Sequence, residues 1–141
     1  MNGIAHLAVT VKDMEKSLDF YTKALGLKKV FEIPDPKTGE PWIIYLYLAG
    51  RQFVELFYNG SKDNPWQREL RGFNHICIEV DDIQAAVEMI ASAGYKLDVL
   101  PKQGRDHNWQ AWVKDPDGVR VELMQIDPNS PQAKAIAEFG K

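Results

Sequence analysis

Apolar and polar residues alternate through Ile4-Ala5-His6-Leu7-Ala8-Val9-Thr10-Val11, the two-residue period of a strand with one buried face. The period then lengthens. Met14, Leu18, Tyr21 and Leu25 recur every three or four positions, as on the buried stripe of a helix. Asp13 stands where that helix needs an acceptor for its free N–H groups, and Gly26 where a left-handed residue would close it. From Phe73 the same order returns. Phe73-Asn74-His75-Ile76-Cys77-Ile78-Glu79-Val80 alternates, Asp82 precedes a stripe of Ile83, Val87 and Ile90, and Gly94 ends it. Short strand-like runs follow each glycine: Lys28–Ile33, Trp42–Ala49 and Gln52–Tyr58 in the first half, Tyr95–Leu100, Trp109–Lys114 and Val119–Ile126 in the second. Turn-forming stretches separate them, among them Pro34-Asp35-Pro36-Lys37-Thr38-Gly39, Ala49-Gly50-Arg51 and Asp115-Pro116-Asp117-Gly118.

Each half therefore reads strand, helix, three strands. The predicted fold class is α+β: two tandem βαβββ modules forming a curved, cup-like mixed sheet, plus a short C-terminal helix. A lone half has too little core to be stable, so the halves are expected to build one domain over residues 1–141. Its parts are module 1 over about 1–58, a polar linker over 59–72, module 2 over about 73–126 and a helix over about 130–139. Ser130 as N-cap and Pro131 in the first turn open that last helix.

Composition narrows the function without naming it. The 141 residues carry a formal charge of −3 with no block of one sign, which gives no sign of a nucleic-acid or polybasic membrane surface. No apolar run reaches the ~20 residues of a membrane span, and the start has no signal-peptide pattern. One cysteine, Cys77, excludes an internal disulfide framework and a thiolate zinc cage. The expectation is a cytoplasmic protein acting on a small molecule.

The duplication extends to chemistry. His6 and His75 hold the same place in the two first strands, and Glu55 and Glu122 the same place in the two last strands. Alternation puts His6 with Ala8 and Thr10 opposite Leu7, Val9 and Val11, and His75 with Cys77 and Glu79 opposite Ile76, Ile78 and Val80. Glu55 and Glu122 likewise oppose Val54 and Leu56, and Val121 and Leu123. All four can thus lie on the face away from the helices. Two imidazoles and two carboxylates suit a divalent first-row metal such as nickel, cobalt, zinc or iron, and leave two octahedral positions for water or substrate. A calcium site would want oxygen alone. One such histidine is more often an ordinary polar residue; four candidates at matched places are harder to obtain by chance. His107 reads as a rim residue and Cys77 as a small buried filler. Trp42, Trp66, Trp109 and Trp112, with Tyr45 and Tyr47, could line a pocket but read mostly as core.

The stretches Leu18-Asp19-Phe20-Tyr21-Thr22-Lys23-Ala24-Leu25-Gly26-Leu27, Phe53-Val54-Glu55-Leu56-Phe57-Tyr58-Asn59, Phe73-Asn74-His75-Ile76 and Asp115-Pro116-Asp117-Gly118-Val119-Arg120-Val121-Glu122-Leu123 give a resemblance over residues 3–126. The chain resembles the vicinal oxygen chelate superfamily (glyoxalase, bleomycin resistance and extradiol dioxygenase), and within it the small bacterial glyoxalase I, or lactoylglutathione lyase, group. What narrows it is the complete His6, Glu55, His75, Glu122 set. The resemblance implies a homodimer whose metal sites lie between subunits, His6 and Glu55 from one and His75 and Glu122 from the other. It implies conversion of a 2-oxoaldehyde thiol hemithioacetal to a 2-hydroxyacyl thioester through a metal-bound enediolate, with nickel, cobalt or zinc favoured over iron. Glu122 is the expected proton carrier and Glu55 its partner or the alternative base. For substrate binding it points to Asn59, Thr10 and Arg105, the last in a loop with Lys102. Thr10 stands where the family pattern has an arginine for a glutathione carboxylate, so the enediolate chemistry is better founded than the thiol. The alternatives are an Fe(II) extradiol-type dioxygenase, which needs two His and one carboxylate, and a metal-free drug-sequestering protein of the bleomycin-resistance type.

Overall fold

A computed structural model of the chain describes residues 3–67, 69 and 71–140. It divides into two compact units between Pro65 and Trp66. Strand pairing runs within each unit.

In the first unit β1 (His6–Thr10), β2 (Lys28–Pro34), β3 (Pro41–Ala49) and β4 (Gln52–Phe57) form a mixed sheet in the order β1-β4-β3-β2. β1 runs parallel to β4; the other pairs are antiparallel. Between β1 and β2 lies α1 (Met14–Asp19), which continues as a π-helical segment over Phe20–Ala24. Asp13 caps it, accepting from the Lys16 N–H at 3.2 Å. The π turn is visible in the bond from Leu25 N–H to Phe20 C=O at 3.2 Å. The buried residues are Ser17, Phe20, Tyr21 and Ala24; of the expected Met14, Leu18, Tyr21 and Leu25 stripe only Tyr21 is among them. Val11, Ile44, Leu46, Val54 and Leu56, all at most 1% exposed, are the buried residues of the sheet.

The second unit repeats the plan. β5 (Ile76–Glu79), β6 (Val99–Gln103), β7 (Trp109–Lys114) and β8 (Arg120–Gln125) pair in the order β5-β8-β7-β6, with β5 parallel to β8. The helix α2 (Ile83–Ser92) is capped by Asp82, which accepts from Gln84 and Ala85 N–H groups, and buries Ile83, Ala86 and Ile90. Gly26 and Gly94 both take positive φ, 71° and 86°, as the two helix ends require. The expected strand Tyr95–Leu100 is displaced to Val99–Gln103. Tyr95 N–H is spent on Ile90 C=O at the helix end, and Pro101 falls inside the strand at a register shift. A proline fits there because β6 is an edge strand and needs no donor on its outer side. Pro34 ends edge strand β2 in the same way, beside a register shift.

The C-terminal α3 (Pro131–Phe139) starts where expected, with the Ser130 hydroxyl accepting from Ala133 N–H at 3.0 Å. It buries none of its residues and leaves Phe139 exposed. None of the described helices is long and apolar enough to cross a membrane.

Candidate metal centre

The first pair is built on neighbouring parallel strands. In β1 the partner of Glu55 is Ala8, so His6 sits two residues back on the same face. His6 Nδ1 lies 3.3 Å from Glu55 Oε1. The carboxylate is only 5% exposed although it points away from the helix-packed face. Aromatic side chains explain this. Tyr45 is directly opposite Glu55 on β3, stacks on Phe31 at 4.3 Å and meets Phe53 at 6.3 Å; Tyr47 meets Phe53 at 5.8 Å. The Tyr45 hydroxyl donates to Glu55, and this bond, with desolvation, raises its pKa above the usual tyrosine value.

The second pair has the same register. Cys77 is the partner of Glu122, and His75 is again two residues back. His75 Nε2 lies 2.9 Å from Glu122 Oε2, and Glu122 is 6% exposed. Trp112, opposite Glu122 on β7, packs edge-on against the His75 ring at 4.8 Å. Cys77 is not the buried filler expected: the residue is exposed and shares the site face. Partial desolvation of the sulfur, then the charge and hydrogen bond of Glu122, push its pKa up to about 12.

The structure thus brings His6 to Glu55 and His75 to Glu122. Among the described residues no group of three or more His, Cys, Asp or Glu is positioned to hold a metal ion. Each pair offers two donors, one imidazole and one largely buried carboxylate, and two donors fall short of the four of a zinc-type shell. The chemistry of the donors fits a divalent first-row ion, and a carboxylate kept from water without a full set of donors is a group that a cation would stabilise.

The secondary candidates fall at the margins. Thr10 is exposed at the end of β1, opposite Phe57, and Asn59 lies two residues beyond Phe57 in a left-handed conformation (φ 68°). Arg105 is exposed in the turn between β6 and β7, and Lys102 lies on β6. His107, also in that turn, takes φ 70°. The tryptophans are not core: Trp42, Trp66 and Trp109 are exposed and Trp112 is half-buried. Sequence reasoning missed Asn74 and Arg120. Asn74 Oδ1 accepts from Arg120 Nη1 and lies 2.8 Å from His75 Nδ1, and Arg120 lies over the rings of Trp66 and Trp112. The available signal was the amide directly before the histidine, with a tryptophan in the connector.

The chain is also similar to known proteins. A family model described as Glyoxalase/Bleomycin resistance protein/Dioxygenase superfamily matches residues 3–123. The chain is 32% identical over 127 residues to the lactoylglutathione lyase of Escherichia coli O157:H7, covering 86% of this chain and 91% of that protein. It is 32% identical over 142 residues to the probable chloroplastic lactoylglutathione lyase of Arabidopsis thaliana; there the match covers 96% of this chain but only 39% of the relative. Among solved structures, the glyoxalase family protein from Enterococcus faecalis superposes with a TM-score of 0.73 at 22% identity, over 86% of this chain and 96% of that one.

Proposed function

The chain belongs to the Glyoxalase/Bleomycin resistance protein/Dioxygenase superfamily, and on that premise we propose that it is a metal-dependent, glyoxalase I-like lyase. Its substrate would be the hemithioacetal of a 2-oxoaldehyde and a thiol, its product a 2-hydroxyacyl thioester. The observation that carries the reading is the pair of His–Glu couples at identical register, each with its carboxylate almost fully buried. The relatives named lactoylglutathione lyase support it.

His6 and Glu55 of one subunit with His75 and Glu122 of another would hold a nickel, cobalt or zinc ion. Such an ion, when bound, supplies positive charge against the negative charge that develops on substrate oxygens. The proton work falls to the chain. Glu122 takes the proton from the carbon bearing the hydroxyl and the sulfur and returns it to the adjacent carbon, while the hydroxyl proton passes to the neighbouring oxygen so that the first becomes the thioester carbonyl; Glu55 serves as the partner of Glu122 or the alternative base. Tyr45, Tyr47 and Phe53 shield the Glu55 carboxylate from water, and Trp112 shields that of Glu122. Asn59, Thr10 and Arg105 are the candidates for holding the thiol portion. With Thr10 uncharged, a carboxylate of the thiol has no arginine on β1, so glutathione is one thiol to be tested among several.

The test is metal analysis of the purified protein, with His75→Ala beside it, followed by isomerisation of methylglyoxal–thiol adducts after reconstitution. Stoichiometric metal that disappears in the variant, and turnover restored by nickel, cobalt or zinc after chelation, are expected. Metal content unchanged in His75→Ala, or rates no better than buffer with every thiol offered, would overturn the reading.

A further inference from the structure

We propose that Arg120 and Lys114 form a carboxylate-binding subsite beside Glu122, and that the substrate carries an anionic group that reaches it. The role in turnover rests on the function proposed above; carboxylate binding by the subsite does not.

The subsite lies within the second unit. There an open cavity of about 460 Å³ is lined by Trp66, Gln110, Trp112, Lys114 and Arg120 among others. Lys114 and Arg120 are direct cross-strand partners on β7 and β8. Like charges in that position repel, so the pair works against the fold while no anion is present. Lys114 has an offsetting partner, its Nζ being 3.2 Å from Asp98 Oδ2. Arg120 makes no ion pair among the described residues. Its Nη1 donates to Asn74 Oδ1 at 3.1 Å, and its guanidinium carbon stands 4.0 Å from the Trp66 ring centre and 4.5 Å from that of Trp112. The indole of Trp112 is itself tied by Nε1–H to Gln110 Oε1 at 2.7 Å. These contacts hold the cation and strip water from it without neutralising it. The rest of its N–H fork suits a carboxylate, which a guanidinium grips through paired bonds.

Strand geometry ties the cations to the chemistry. Arg120 and Glu122 are two residues apart on β8 and share a face, about 7 Å from each other along the strand. Lys114 lies opposite Arg120 just as Trp112 lies opposite Glu122. A molecule reacting at Glu122 therefore meets fixed positive charge one same-face step away. The fold does not demand this. The equivalent places in module 1 are held by Phe53, two residues before Glu55, and Tyr47 opposite it, an aromatic pair with ring centres 5.8 Å apart.

Either portion of an adduct can bring the carboxylate, and the experiment separates them. Adducts are made from 2-mercaptoethanol or 3-mercaptopropionate with methylglyoxal or 4,5-dioxopentanoate, which puts the carboxylate nowhere, on the thiol or on the aldehyde. For metal-reconstituted wild type, kcat/KM should be about 10–100-fold higher for a carboxylate-bearing adduct than for the neutral one. A preference that follows 3-mercaptopropionate assigns the subsite to the thiol, one that follows 4,5-dioxopentanoate to the acyl chain. Arg120→Met, which keeps an apolar stem against the indoles, should abolish the preference. Arg120→Lys should keep part of it, and Lys114→Gln, at an exposed position, should reduce it. Binding is read without metal on 15N-labelled protein, from the indole N–H signals of Trp66 and Trp112, assigned with Trp66→Phe and Trp112→Phe. 3-(Methylthio)propionate or 4-oxopentanoate should shift them where the methyl ester does not, and Arg120→Met should remove the response. Equal kcat/KM for charged and neutral adducts, a preference that survives Arg120→Met, or indole signals that respond alike to acid and ester overturns the inference. If no adduct is turned over while an acid still shifts the indole signals through Arg120, the subsite stands and the proposed reaction fails.

Discussion

Replacing Asn108 with alanine tests how the second module holds the strand that carries Trp112. Asn108 is completely buried at the start of β7, and its amide reaches three separate segments. Its Oδ1 accepts from Asp127 N–H at 3.0 Å, and its Nδ2 donates to Asp106 Oδ2 at 2.9 Å and to Gln132 Oε1 at 3.0 Å. The Met124 sulfur is a weaker neighbour at 3.6 Å. A net neutral hydrogen bond contributes ~1 kcal/mol and one to a charged group ~1.5–3 kcal/mol, while an orphaned buried backbone N–H costs ~1–3 kcal/mol. Asp106 and Gln132 can be rehydrated after the truncation; the Asp127 N–H is the group at risk. The expected loss is about 2–4 kcal/mol, which for a chain of this size lowers Tm by on the order of 10 °C. Urea unfolding gives the free energy. Hydrogen exchange should show the effect spreading to α3, which buries no residue of its own and is tied by Gln132 to Asn108. Asn108→Asp should be worse than alanine, because it sets a second carboxylate against Asp106. A loss below about 0.5 kcal/mol for alanine, or an aspartate variant as stable as wild type, would refute this reasoning.

Three further outcomes follow from local physics. Glu122→Gln should lower kcat by about 10²–10⁴-fold in steady-state assays, since an amide cannot accept and return the proton. Asp82→Ala removes the acceptor of two N–H groups at the start of α2 and should cost about 1 kcal/mol in chemical denaturation. Asp13 is held below the ordinary carboxylate pKa, first by its hydrogen bond to the Lys16 side chain. A depressed folded pKa stabilises the protein above the unfolded value of 3.8 and loses that contribution as pH falls through the folded value, so Asp13→Asn should flatten the acid limb of the stability–pH curve.

Elements with a strong local signal were legible in the chain. The aspartate caps, the glycine stops, the alternation of β1 and β5 and the Ser130-Pro131 helix start are all set within a few residues, where periodicity and turn chemistry act directly. Duplication and parity spoke only to the face that His6, Glu55, His75 and Glu122 share; the grouping of His6 with Glu55 and of His75 with Glu122 was implied by the family resemblance, because parity does not say which strands will be neighbours. What was hidden depended on partners distant in sequence. No window around Pro101 shows that β6 will be an edge strand and can tolerate it. The π segment at Phe20–Ala24 adds one residue to a turn, which spacing rules built on 3.6 residues do not register. Tryptophan identity suggested core, yet the indoles of Trp66 and Trp112 serve as seats for a cation. The bond that Asn74 accepts from Arg120 gave no signal, because it depends on the parallel pairing of β5 with β8.

The two couples also share a division of labour that follows from strand position. β4 and β8 are inner strands, hydrogen-bonded on both sides, and each carries the acid; β1 and β5 are edge strands, and the histidines lie on or next to them. An inner strand is surrounded by neighbours whose aromatic side chains can strip water from a carboxylate, as Tyr45 and Trp112 do from positions directly opposite. An edge strand leaves its histidine approachable, which is why His6 and His75 are the more exposed member of each couple. A couple divided in this way has its carboxylate desolvated in advance while its imidazole remains open to solvent. That is the arrangement a two-donor half-site needs if it is to be completed by donors from elsewhere. Exchanging the two residue types within a couple should therefore fail to give an equivalent site, because glutamate on the edge strand would be hydrated and histidine on the inner strand walled in.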